Sequence, residues 1–114
     1  MALAAVSCFA MSAATSAHAL DCPIPQNAAK AGVIAEPEKT IAAMAPLLSA
    51  PNAAERAPEI VAQVRKRHPK AQSAEIVNFL ITAYCPIANA RNIGEPEKRA
   101  LVEAFAGAVT QQVY

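Results

Sequence analysis

Beyond residue 19, the side chains able to do more than fill space form a short set. They are Cys22, Cys85, His68 and the cations around that histidine, Arg65, Lys66, Arg67 and Lys70. Each of the two cysteines opens a Cys-Pro-Ile triplet, at 22–24 and at 85–87. Proline pushes the residue before it toward extended backbone. Both cysteines are therefore expected outside helices, Cys22 in an N-terminal arm and Cys85 just past a helix end. A disulfide between them pins the arm across that end. A redox-active couple is disfavoured, because no Cys-x-x-Cys is present and no cation sits directly beside either thiol to lower its pKa.

His68 has no partner at metal-ligand spacing. It stands near Ser73, but the one aspartate of the chain is Asp21, so a nucleophile–base pair would need a glutamate to orient it. Glu36, Glu38, Glu95 and Glu97 all fall at helix starts, where solvated carboxylates are the rule. Glycines occur only at 32, 94 and 107, which excludes a glycine-rich phosphate loop. The expectation is a protein that is not an enzyme, with no catalytic residue, no metal and no cofactor. The run Arg65-Lys66-Arg67-His68-Pro69-Lys70 has two readings. Cations gather at a helix C-terminus because its last carbonyls carry partial negative charge. Alternatively, Arg65, Lys66, Arg67, His68 and Lys70 form a docking patch for an acidic partner or a phosphate.

The elements that must hold these residues read as helices. Residues 73–86 are the densest bulky apolar stretch beyond the N-terminus, with Ile76, Val77, Phe79, Leu80, Ile81 and Tyr84. A helix apolar on nearly every side must be covered on nearly every side, so the rest of the chain is expected to pack around it. Ser73 is placed as its cap and Glu75 in its first turn. A strand is the competing assignment, since Ile-Val-Asn-Phe-Leu-Ile-Thr is rich in strand formers. The length of the run and its lack of strict alternation favour helix.

Before it, Glu36-Pro37-Glu38-Lys39 opens a first helix with Ile41, Met44, Leu47 and Leu48 on one face. Pro46 predicts a kink or break near Ala43–Ala45. A second helix spans 57–68, with Ile60, Val61 and Val64 inward, and Pro69 stops it. Residues 87–94 read as a connector. Glu95-Pro96-Glu97-Lys98 then opens a fourth helix to about Gln112. Leu101, Phe105, Ala108 and Val109 form its inner face, with Ala104 beside them and Lys98, Glu103, Gln111 and Gln112 outward. The repeated Glu-Pro-Glu-Lys is helix-start chemistry rather than a duplicated unit. The fold class is all-α, a small four-helix domain over 36–114 with an extended arm over 20–35 and one disulfide.

Residues 1–19 read as a secretory leader. Ala2–Ala14 carries no charge, and Ala17-His18-Ala19 supplies a small-x-small cleavage pattern. Nothing basic precedes the apolar run, which leaves either a poor leader or a start codon upstream of Met1. The run is too short for a bilayer, which needs about 20 residues. Asp21, where a lipobox has a small residue before its cysteine, excludes lipidation. The mature chain would be Leu20–Tyr114, 95 residues, exported to the periplasm or beyond, with no stable membrane insertion after cleavage. Export removes Cys8 and leaves an even cysteine count in an oxidising compartment, where pairing is expected. The net charge of +1 argues against nucleic acid or anionic membrane as partner.

The segment 60–69, Ile-Val-Ala-Gln-Val-Arg-Lys-Arg-His-Pro, followed by Ser73-Ala74-Glu75-Ile76-Val77 and Tyr84-Cys85-Pro86, resembles the second half of the Tai-type immunity proteins. Those are small exported helical proteins that neutralise amidase effectors of type VI secretion. Their pattern joins a helix ending in apolar-x-x-His-Pro to one ending in aromatic-Pro-Cys; here proline follows the cysteine, and the family's glycine-rich opening is absent. The resemblance implies an all-helical fold and a protein partner. In size, helicity and single disulfide the chain also resembles the small periplasmic acid chaperones. Two functions are thus expected ahead of an enzyme: an exported module binding an envelope or secreted protein, immunity-like, or a periplasmic stress protein that exposes apolar surface in acid.

Overall fold

A computed structural model of the chain describes residues 20–22, 34 and 37–114. The expected leader over 1–19 lies outside the described residues, as does most of the arm. Four α-helices follow in order: α1 (Pro37–Leu48), α2 (Ala57–Arg67), α3 (Ser73–Asn89) and α4 (Glu95–Val113), with a 3-10 turn at Ala53–Arg56 ahead of α2. No strand occurs among the described residues. The domain is all-α, and the α3–α4 pair is its most extensive helix packing. α4 packs along α3 and also reaches α2 and the 3-10 turn, while α1 packs on both α2 and α3.

The helix starts follow local chemistry. Proline sits in the first turn of α1, α2 and α4, where its missing N–H costs nothing. Glu38, Glu59, Glu95 and Glu97 add negative charge to those turns, complementing the helix dipole. α3 starts differently from expectation. Its cap is Gln72, not Ser73, and the Gln72 backbone N–H donates to Glu75 Oε1 at 3.1 Å. Ser73 is instead the first helical residue.

The core draws on every helix. Met44, Leu48, Ile60, Val64, Ile76, Leu80, Phe105 and Val109 are its largest fully buried side chains. Tyr84 of α3 and Phe105 of α4 stack with ring centroids 4.3 Å apart and planes inclined by 18°. Such a pair contributes about 0.5–1.5 kcal/mol beyond its buried area. The stack joins the two longest helices near their middles.

Four expectations are corrected. Cys85 does not lie in extended backbone past the helix; α3 continues through Cys85 and Pro86 to Asn89, so the connector shrinks to Ala90–Gly94. Pro86 lacks the N–H for one helical bond, yet the turn after it buries Ala88 completely and packs Ile87 on the core. The helix is held on by that packing, and Pro86 itself is exposed. Pro46 likewise does not break α1, which runs through it as one helix with Pro46 exposed. Lys98 does not point outward: it is 8 % exposed and heads the buried stripe completed by Phe105, Val109 and Val113. Ala104, placed beside the inner face, is exposed.

Candidate functional site

Two places in this fold gather the residues capable of chemistry: the corner where the arm meets α3, and the C-terminal end of α2. At the corner, Cys22 and Cys85 are bonded, with their Cα atoms 5.6 Å apart. The Leu20 backbone nitrogen also donates to Asn89 Oδ1 at 2.9 Å. Cys85 and Asn89 are four residues apart on α3, so they share a face about 6 Å apart along its axis. Two residues of extended chain cover nearly the same length, about 6.6 Å. The chain from Leu20 to Cys22 thus runs antiparallel to the last turn of α3 and is held at both ends. Lys98 Nζ approaches the same Asn89 Oδ1 at 3.5 Å.

At the end of α2 the last turn carries Arg65, Lys66 and Arg67, and His68 is the C-cap, its N–H donating to Val64 O. Arg65 reaches sideways: its Nη2 donates to Val113 O at 3.4 Å, closing the end of α4. The two helices therefore finish side by side, and one cation neutralises both negative ends. His68 Nε2 and Thr40 Oγ1 share a 2.8 Å hydrogen bond whose direction depends on the imidazole tautomer. Thr40 is buried on α1, so the histidine satisfies a hydroxyl that would otherwise be stranded in the core. This is His68's observed partner, rather than Ser73.

The remaining cations of the run differ in kind. Elsewhere among the described residues the cations are engaged. Arg56 pairs with Glu59 and Arg99 with Glu95. Arg91 Nη2 donates to the carbonyls of Ser49 and Ala50, both at 3.4 Å, past the end of α1. Lys39 and Lys98 have partners as well. Among the described lysines and arginines, only Lys66, Arg67 and Lys70 form neither a hydrogen bond nor an ion pair, and all three are exposed. Glu59, Ala62, Gln63, Lys66 and Arg67 line one depression along the outer face of α2. The predicted run therefore splits by role: Arg65 and His68 hold helices together, while Lys66, Arg67 and Lys70 present charge to solvent.

Asn89, Lys98 and Thr40 are the participants that sequence reasoning missed. Lys98 precedes Phe105 by seven residues, a spacing that returns to the same helix face, but its charge argues locally for the outward side. Asn89 lies one turn past Cys85, but only if the helix survives Pro86. Thr40 meets His68 across 28 residues of chain, and no local signal pairs them.

Among the described residues, no helix is long and apolar enough to cross a membrane. Comparison with protein-family models, with curated proteins and with solved structures returns no match.

Proposed function

We propose that this chain is an exported protein-interaction module that receives an acidic surface of its partner on the exposed end of α2, at Lys66, Arg67 and Lys70. The single observation behind this reading is the distribution of cations. Every other described lysine and arginine is engaged within the fold, whereas these three stand together with none. Their side chains lose less conformational freedom on binding a carboxylate than they gain in pairing only if the partner supplies several acids at once, which suits a protein surface. The Cys22–Cys85 bond supports an oxidising compartment, and with the leader-like sequence of residues 1–19 it supports the periplasm as destination. The likeness to Tai-type immunity proteins runs through this same end of α2. Within this reading it makes an amidase effector the first partner to test.

The experiment is capture from envelope extract and from an amidase panel. It compares the wild-type chain with a Lys66→Glu, Arg67→Glu, Lys70→Glu variant, between about 0.05 and 0.5 M salt, a range over which exposed charges become screened. A stoichiometric partner held by the wild type at low salt, weakened by salt and lost from the variant, bears the reading out. Recovery of no partner, or equal recovery by both chains, overturns it.

A further inference from the structure

The corner of the arm and α3 has a feature that a purely structural staple does not need. The disulfide alone anchors the arm, yet a second contact holds the nitrogen of Leu20. Leu20 is the residue that removal of a leader after Ala19 would leave first in the chain. We propose that this corner is a seat for the α-ammonium of a processed N-terminus, with Asn89 Oδ1 as its primary acceptor. The proposal rests on the reading that the chain is exported and cut after Ala19. It goes further by assigning the new terminus a binding site within the fold.

The chemistry of the surroundings fits a cation. Leu20 is half-buried, and its recess is shared by Asp21, Cys85, Glu95, Arg99 and Glu103. Two cations stand close by: Lys98, 3.5 Å from the same Asn89 oxygen, and Arg99, which pairs with Glu95. Against them stand three carboxylates, those of Asp21, Glu95 and Glu103. An ammonium at Leu20 adds a positive charge to a recess whose lining carries three carboxylates and one guanidinium. Cleavage is a hydrolysis: the Ala19–Leu20 amide bond breaks, water supplies a hydroxyl to Ala19, and the Leu20 nitrogen takes up protons to become the ammonium. One of its N–H bonds keeps the direction already aimed at Asn89. Hydrogen bonds from a charged donor are stronger than those from an amide, so processing tightens this contact.

The test uses the full chain with its own leader, expressed in exporting cells, and examines whatever is recovered. Intact mass and N-terminal sequencing first identify the terminus. The α-amine is then acylated with limiting reagent near neutral pH, where its ordinary pKa of about 8 leaves part of it reactive. In the native protein the reaction is expected to run about tenfold slower than in urea, the size of effect of one charged hydrogen bond. Asn89→Ala should remove that protection, while Asn89→Asp should slow the reaction further. Because general loosening of the fold would accelerate both variants, opposite shifts identify the seat itself. A terminus at any residue other than Leu20 overturns the cleavage reading and the seat together. A terminus at Leu20 whose amine reacts as fast as in urea, or that responds alike to both variants, overturns the seat alone.

Discussion

Cutting the cross-link by Cys22→Ser tests the architecture most directly. Cys22 and Cys85 are 63 positions apart, and closing a loop of that length removes about 4 kcal/mol of unfolded-state entropy at 25 °C. The structure adds a consequence. Without the bond, Leu20–Cys22 is held mainly by the hydrogen bond from Leu20 to Asn89, worth about 1 kcal/mol net. Ordering three residues costs about 1–2 kcal/mol each in backbone entropy, so the arm should leave α3 and the Asn89 contact should vanish with it. Against a total stability of about 5–15 kcal/mol for a domain of this class, the variant should remain folded with a thin margin. Each kcal/mol moves Tm by about 4–8 °C in a domain this small, which puts the expected drop at about 15–30 °C. Urea melts of the oxidised wild type and the variant, followed by far-UV circular dichroism, give the free-energy difference. The variant's m value should also rise, because its unfolded chain is more open. Stabilities agreeing within about 1 kcal/mol would refute the chain-entropy argument and demote the disulfide to an ornament of the fold.

Three further outcomes follow from the packing. Phe105→Ala removes the ring stacked on Tyr84 from a fully buried site; unfolding free energy should fall by about 3–5 kcal/mol, and near-UV signal from Tyr84 should change with it. Gly107 lies on an exposed face of α4 where an added Cβ meets nothing within 4 Å. Gly107→Ala should therefore stabilise the chain by about 0.5–1 kcal/mol in the same melts, and a loss would mean that face is covered. A double-mutant cycle of Thr40→Val and His68→Ala should give a coupling of about 0.5–3 kcal/mol if the 2.8 Å contact between them ties α1 to α2, and near zero if it does not.

Much of the fold was readable in the residues. Pro37, Pro58 and Pro96 mark helix starts because proline is harmless in a first turn, and Pro69 marks a stop for the opposite reason. The apolar density of residues 76–84 identified α3 as a helix that buries much of its surface, since so greasy a segment has no stable place at a surface. The pairing of Cys22 with Cys85 followed from an even count and an inferred oxidising destination. These are properties of short stretches, set by backbone sterics and by side-chain type within a few residues.

The tertiary structure decided where such local signals conflict or fall silent. Pro86 argues locally against helix, but Ile87 and Ala88 beyond it pack into the core, so α3 continues and carries Asn89 to Leu20. Lys98 is charged and looks outward by type, yet its helical register places it in the buried stripe, with Asn89 at its amine. In Arg65-Lys66-Arg67 three like residues stand in a row, and only contact with α4 separates the one that seals a helix end from the two left to solvent. Such choices depend on groups brought together from distant parts of the chain. Their energies exist only once the helices have docked.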